Sequence, residues 1–438
     1  MDERYRDEIT NASRMLTRAI LEKEADLEKG ARQVDALTRR LLREVGRETV
    51  LGVFTALCER LEARARAQGM TLHKRTSIAV MTLFGVLMLV SPRLLDRRTK
   101  RASCPLSELG LRHGGRTPAV ERALTDFGAE ESFGHAAKRF QEHYGFEVGR
   151  TTVLRVVEGH AAKAQASVHT RLESAQKQFD EPLATRPGVD RMLVEMDGCE
   201  IRTGTLRPAG TDQRSPVRGL PKRVRDEAWV DVRVALARPI DELDPTYVAR
   251  HDKYERVVDE LFGAACERGL SSRTKVFAPS DGGFGLREAL DAKFAGLRFI
   301  LDRPHLRSHL FDTADRIGLR DQARNRWVAH KIVLLDGDAE QIETALGELR
   351  AHKGRGKKRV GQLLKHLTRF RDALGHDEIR AAGIPVGSGE VESAHRTIPQ
   401  KRLKLPGAWW RPDTLAKMLG LRVLRANGWW DGYWENAA

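Results

Sequence analysis

The chain is predicted to be an α/β protein with helical regions before and within its sheet, and three patterns carry that reading. Apolar residues recur at helical spacing over about residues 5–68, as in Val34, Leu37, Leu41, Leu42, Val50, Leu51, Phe54, Leu57 and Leu61. From residue 188 strand patterns alternate with helix patterns, as in a mixed sheet flanked by helices. Between Arg303 and Ile384 the pattern is helical again and poor in strands, with Leu310, Ile317, Ile332, Leu334, Leu335, Ile342, Leu346, Leu363 and Leu364 as core candidates.

At 438 residues the chain exceeds one ordinary core and reads as two to four domains. The ranges are an N-terminal helical region (1–72), a hairpin and basic linker (73–116), a helical pair (117–180), the first part of an α/β core (188–305), a helical insertion (306–384) and the last part of the core (385–438). The N-terminal amphipathic helices either pair subunits or pack on their own body, the second being the commoner outcome. The apolar run from Ile78 to Val90 is shorter than the roughly 20 residues of a membrane helix, and Ser91-Pro92 stops it. Ser77 to Leu95 therefore reads as a hairpin, followed by the basic run 97–101, and no membrane partner is expected. The charged opening, Met1 to Arg6, is unlike a signal sequence and reads as the start of a cytoplasmic protein.

Ser132 can cap a helix carrying Phe133, Ala136, Ala137 and Phe140 on one face, ended by Tyr144-Gly145, and a second helix starts near Arg150. The pair resembles a helix-turn-helix, with Arg150, Thr151, Thr152 and Arg155 on the part that would face DNA. A plain helical hairpin fits the pattern equally. After a linker over 181–188, Met192 to Met196 runs into Asp197, and Val230, Val232, Val234 and Leu236 alternate with Asp231, Arg233 and Ala235. A helix is expected over Thr246 to Arg268. Strand Lys275–Ala278 leads to Asp281, a helix spans Leu286 to Phe294, and strand Leu297–Leu301 ends at Asp302. Each strand thus delivers an acid at its carboxyl end, along one edge of the sheet.

A net charge of +15 points to a polyanionic partner, because clustered Lys and Arg release a phosphate backbone's condensed counterions. From Lys353 to Arg371 the chain holds eight Lys or Arg and no Asp or Glu, which suits either a DNA-facing helix or an exposed loop and helix. Cys58, Cys104, Cys199 and Cys266 lack the paired spacing of zinc or disulfide sites, consistent with a reducing compartment.

The chemistry lies in the acids. A lone Asp-Gly at a strand end is more often a turn than a ligand. Asp197-Gly198 and Asp281-Gly282, followed by the Gly387-Ser-Gly389 turn with Glu390 and Glu392, make a joint pattern that changes the odds. Mg²⁺ takes hard oxygen ligands, so a few carboxylates plus a substrate phosphate complete its shell. Two ions roughly 3.5–4 Å apart serve an in-line displacement at phosphorus. On a helix Glu390 and Glu392 lie about 200° apart, so only one can face the ions, and the spacing does not say which.

The string Gly387-Ser-Gly-Glu-Val-Glu392-Ser-Ala, the later Lys404, Gly407 and Trp409, and the closing Trp430-Asp-Gly-Tyr-Trp434 resemble the C-terminal signature of bacterial insertion-sequence transposases of the Kra group, relatives of the Mutator-like superfamily. The likeness extends to Val194 to Gly198, Ser280-Asp281-Gly282, Ile300 to His305 and the helical pair upstream. It implies an RNase H-like core with a helical insertion before the last acid, and an Asp-Asp-Glu triad of Asp197, Asp281 and Glu392. It also implies two Mg²⁺ or Mn²⁺ ions, with cleavage and strand transfer at the ends of a mobile element. Asp302 and His305 match an accessory pattern, in which His305 positions a phosphate or flipped base, or else is simply packed. Cys104 lacks the partner cysteine common in such proteins, so structural zinc is not expected.

Double-stranded DNA, bound by a homo-oligomer at the nucleoid, is the implied partner. Arg396, Lys401, Arg402 and Lys404 would bind backbone phosphates. Trp409 and Trp410 either stack on an unpaired base or fill the core, whereas Trp429, Trp430 and Trp434 read as packing anchors. Two other readings remain, a non-catalytic DNA-binding regulator derived from a transposase and an RNase H-like nuclease or resolvase.

Overall fold

The computed structural model describes residues 3–23, 31–180, 188–208 and 223–437, so residues 1–2 and all but the last residue of the predicted linker over 181–188 lie outside the described set. The chain divides into two compact units, Met1–Phe127 with Phe133–Val153, and Gly128–Ser132 with Leu154–Ala438.

In the first unit, helices α1 (Glu3–Lys23) and α2 (Ala31–Ala67) precede a hairpin of β1 (Thr71–Thr82) and β2 (Gly85–Leu95). The hairpin starts six residues before the predicted Ser77, because Thr71 to Thr76 continue the pairing with β2. Short strands β3 (Ala102–Ser103) and β4 (Gly115–Arg116), with α3 (Pro105–Glu108) between them, complete a sheet of order β3-β2-β1-β4. Gly85, at φ 116°, occupies a conformation few side chains adopt, which permits the two-residue turn. Leu87, Leu89 and Val80 bury one face with Cys58 and Leu106, and Val50, Leu51 and Phe54 of α2 pack on that cluster. The second half of α2 therefore packs on its own unit, while Val34, Leu42 and Val45 nearer its start are exposed.

Helix α4 (Pro118–Glu130) leads to α5 (Phe133–Tyr144) and α6 (Arg150–Lys177), with the boundaries expected for the helical pair. Phe140, Val148 and Val153 are buried, and Phe140 meets Phe146 edge-on with ring centroids 5.2 Å apart.

The second unit is built on a mixed five-stranded sheet. Strands β5 (Arg191–Pro208), β6 (Arg223–Pro239) and β7 (Thr246–Arg250) are antiparallel, while β8 (Lys275–Ser280) and β9 (Arg298–Leu301) run parallel to β5, in the order β7-β6-β5-β8-β9. Helix α7 (Tyr254–Glu267) joins β7 to β8, and α8 (Leu286–Lys293) joins β8 to β9.

Two expectations need correction. Asp197 does not end its strand, because β5 continues to Pro208, paired along its length with β6. The helix expected from Thr246 begins instead at Tyr254, since residues 246–250 form an edge strand paired to Arg233–Ala237 of β6.

The segment after β9 is helical as expected: α9 (Arg303–Ile317), α10 (Asp321–Asp336), α11 (Ala339–Ala351), α12 (Lys357–Arg369) and α13 (His376–Ala381). Leu310, Leu335, Leu346 and Leu363 are buried there. Helices α14 (Gly389–His395), α15 (Lys401–Leu403), α16 (Pro412–Ala426) and α17 (Trp430–Ala437) finish the chain. Trp434 is buried and lies 4.5 Å from the His160 ring, consistent with its role as an anchor. All four cysteines are free thiols. Among the described residues, no helix is long and apolar enough to cross a membrane.

Candidate active site

Parallel strands β5 and β8 pair from Arg191 and Lys275 only as far as Leu193 and Phe277, while β8 stays paired with β9 to Ser280. Beyond that point the two strands part. Pro279, which has no N–H to donate, lies in the parted stretch of β8. A cleft of about 250 Å³ opens in the gap, lined by Asp197, Gly198, Cys199, Asp231, Tyr254, Asp281 and Gly283 among others. The structure thus brings Asp197, midway along β5, and Asp281, just past β8, into one cleft.

Asp281 is held by its own turn, Oδ1 accepting the Gly283 amide at 2.9 Å. Gly282, at φ 80°, leaves no room for a side chain, since a Cβ there would lie 2.7 Å from the Phe370 ring. Asp197 Oδ1 accepts the Gly198 amide at 2.7 Å. Burial, with the nearby Asp281 charge adding to it, raises the Asp197 pKa against the pull of that amide and His395. Two carboxylates of like charge facing one cleft form a hard-oxygen donor pair suited to Mg²⁺ or Mn²⁺.

Helix α14 lies on the same face of β5. Glu195, two residues before Asp197, accepts the Val391 amide on Oε2 at 2.8 Å, and its Oε1 is buried with no hydrogen-bond partner. Burial pushes Glu195 up to about 8 despite that bond. His395 Nε2 lies 3.2 Å from the Asp197 carbonyl and Nδ1 3.9 Å from its carboxylate. Burial lowers the His395 pKa, so the contact with Asp197 is not a strong ion pair.

The structure separates the two glutamates of α14. Glu390 forms an ion pair with Arg238, a nearly buried side chain on β6. Glu392 is exposed on the other side of the helix. The expected gathering of three acids is therefore met by two, and Glu392 stands outside the cleft on the helix that carries His395. Burial already disfavours charge on Asp197, so a third carboxylate beside it would need a cation to offset the repulsion. Among the described residues, no group of three or more His, Cys, Asp or Glu is arranged to hold a metal ion.

Asp302 is a structural hub. Its Oδ1 accepts the His305 amide at 2.7 Å, capping α9, and its Oδ2 accepts both the amide and the hydroxyl of Ser388 at 2.6 Å. Burial alone would raise its pKa, but the adjoining His305 ring, together with these hydrogen bonds, outweighs it and holds the carboxyl at about 2. His305 Nδ1 lies 3.1 Å from Asp302 Oδ1, a charge contact off the line that a hydrogen bond needs. The Asp302 carboxylate, with Asp281 and Asp197 farther off, pushes His305 up to about 9. The ring is therefore cationic at neutral pH, on the flank of the acid pair.

The cationic candidates divide by exposure. Arg150, Thr151 and Arg155 are exposed at the start of α6, and Thr152 is half-buried. Arg396 and Lys404 are exposed, and the Lys404 charge bears on His395 and Cys199 beside the cleft. Lys401 pairs with Glu130 at 2.7 Å. Arg402 is a correction: it is 2% exposed, donates Nε–H to the Gly128 carbonyl at 3.0 Å and lies over the Trp410 ring. Its place is in the core and not on a phosphate.

Of the two readings for Trp410 the structure shows the core one: the ring is buried, with its indole N–H donated to the Leu403 carbonyl at 3.1 Å. Trp409 is half-buried, covered by Arg225 and packed where Gly204 lacks a side chain.

Sequence reasoning missed Arg238, Glu195 and Tyr254. Arg238 and Tyr254 carry no local motif, and only the period of two along β5 places Glu195 on the Asp197 face. No family model and no curated protein matches the chain.

Proposed function

We propose that the chain is a DNA transposase of the Asp-Asp-Glu type, similar to insertion-sequence transposases of the Kra group, acting on element ends with an RNase H-like core. The observation that carries this reading is the convergence of Asp197 and Asp281 in the cleft where β5 and β8 part. Support for the RNase H-like core comes from a mixed five-stranded sheet in which the acids come from the central strand and its parallel neighbour, followed by a helical insertion.

Asp197 and Asp281 would hold the divalent cations, which when bound neutralise and polarise the phosphate. Glu392, the acid of α14 that Arg238 does not engage, is the proposed third ligand. Cationic His305 donates a hydrogen bond to a non-bridging phosphate oxygen. Arg396, Lys401 and Lys404 hold backbone phosphates and so position the strand without reading it. In the first step a water oxygen bonds to phosphorus, the P–O3′ bond breaks, and the departing 3′ oxygen takes a proton. In the second that 3′-hydroxyl oxygen bonds to a target phosphorus as it loses its proton, and the target's own 3′ oxygen leaves and takes a proton. Arg150, Thr151, Thr152 and Arg155 serve as the end reader on a helix-turn-helix, and a homo-oligomer joins the two ends.

The test is strand cleavage on a plasmid carrying the DNA that flanks the gene on both sides, the expected location of terminal repeats. Asp197→Asn is expected to abolish Mg²⁺-dependent cleavage while leaving affinity for the repeats nearly unchanged. Equal cleavage by variant and parent would eliminate the acid assignment. A second reading, a non-catalytic DNA-binding regulator, is favoured by the position of Glu392 outside the cleft. Repeat binding by the parent with no cleavage would support it. Cleavage of branched or unrelated DNA without strand transfer would point instead to a nuclease or resolvase.

A further inference from the structure

Phe284 stands at the rim of the acid cleft with 89% of its surface exposed. It is three residues past Asp281, and its neighbours Gly283 and Leu286 line the cleft. Leaving a whole phenyl ring in water forgoes the free energy of its burial, and nearby Phe294, Phe299 and Phe370 are all buried. The backbone holds the ring outward. Gly282 and Gly285 bracket it at φ 80° and 85°, and the Asp281 carboxylate ties down the Gly283 amide. The Tyr254 hydroxyl would lie 3.2 Å from a Cβ at Gly283, so the loop also rests against the far wall of the cleft.

The surroundings of the ring narrow its partner. Arg369, at the end of α12, sets its guanidinium carbon 5.4 Å from the Phe284 centroid and is itself paired with Glu288 at 2.6 Å. The ring lies against a cation, and its chain neighbours Gly282, Gly283 and Gly285 add no apolar side chain to it. One flat π face beside a fixed cation, next to acids that would meet a phosphate, matches an unpaired nucleobase whose backbone passes through the cleft.

We propose that Phe284 is a base-stacking residue: it takes the face of an unpaired nucleotide next to the phosphate held at Asp197 and Asp281, with Arg369 steadying the ring. This deepens and rests on the phosphoryl-transfer reading. It moves the stacking role from Trp410, which is buried, and Trp409, which Arg225 covers, to a residue that sequence periodicity does not single out.

The test uses the full chain and a DNA duplex with a single-stranded extension, carrying the fluorescent base 2-aminopurine at one extension position at a time. Stacking quenches that fluorescence. The parent is expected to quench it at one position, Phe284→Trp to retain the quench, and Phe284→Ala to lose it together with about ten-fold or more in affinity for the extended duplex. Affinity for blunt duplex should be unchanged in Phe284→Ala, because the ring makes no contact that the fold needs. Equal quenching and affinity in parent and Phe284→Ala would overturn the stacking role and leave the phosphoryl-transfer reading standing. Failure of the parent to bind any of these DNAs would overturn both.

Discussion

Asp302 and His305 set the pH range over which the end of β9 keeps its grip on the turn before α14. The Asp302 carboxyl is held at about 2 against an ordinary 3.8, so its contribution to stability is complete above the ordinary value and is lost as pH falls toward 2. His305 is shifted the other way, to about 9 from 6.5, so its contribution is complete below 6.5 and is lost as pH rises through 9. Urea midpoints should therefore hold level between these ranges and fall on both sides. His305→Gln should flatten the alkaline fall and shrink the acid one, leaving the part of it that the His305 amide and Ser388 support. An alkaline limb unchanged in that variant would show that the Asp302 contact with His305 is too solvent-screened to matter. Reading such roles from the chain was uneven. Ile300 to His305 marked both residues, but Asp302 in sequence is only an acid at a strand end. Its bonds to Ser388 join residues 86 positions apart.

At the scale of elements, α14 is a seven-residue helix fastened at three points, by Glu195 to the Val391 amide, by Arg238 to Glu390 and by Asp302 to Ser388. A helix this short has little stability of its own, so these contacts decide where Glu392 and His395 stand. Arg238 also donates to the carbonyls of Pro239, Ile240 and Glu242. Arg238→Met should cost about 3 kcal/mol of stability in urea unfolding, because it strips buried acceptors of their donor. A loss below about 1 kcal/mol would mean that water replaces the guanidinium.

The helices were the legible part. Those between 303 and 384, and the pair meeting at Tyr144 and Arg150, followed from apolar spacing and glycine stops. The strands were legible only where they are apolar. Residues 198–208 contain two glycines and alternate polar groups, and it is pairing with distant β6 that makes them a strand. Thr246 to Arg250 is a short edge strand whose Tyr247 and Val248 fit a helix pattern equally well. Arg402 sits in a Lys-Arg-Leu-Lys string that looks like surface, and the Gly128 carbonyl that fixes it inside is 274 residues away.

For the whole molecule, the charge of +15 is distributed unevenly in its effect. On α12, Arg359 and Arg369 are tied to Asp312 and Glu288, while Lys357, Lys358 and Lys365 are exposed. At the start of α6, Arg150 and Arg155 are exposed as well. Non-specific attraction should follow the lysines, and reading of the ends should follow the arginines. Replacing Arg150 and Arg155 together with Ala should weaken binding to the terminal repeat by about ten-fold or more while changing affinity for random duplex far less. An equal loss on both DNAs would confine the pair to phosphate contacts.

The claim on which the rest stands is that Asp197 and Asp281 jointly hold a divalent cation where β5 and β8 part. Mn²⁺ binding by the intact chain, followed by electron paramagnetic resonance in the parent, Asp197→Asn and Asp281→Asn, tests it most directly. The account predicts a site in the parent that each substitution weakens by about ten-fold or more. Manganese bound equally by all three proteins, or by none, would contradict it.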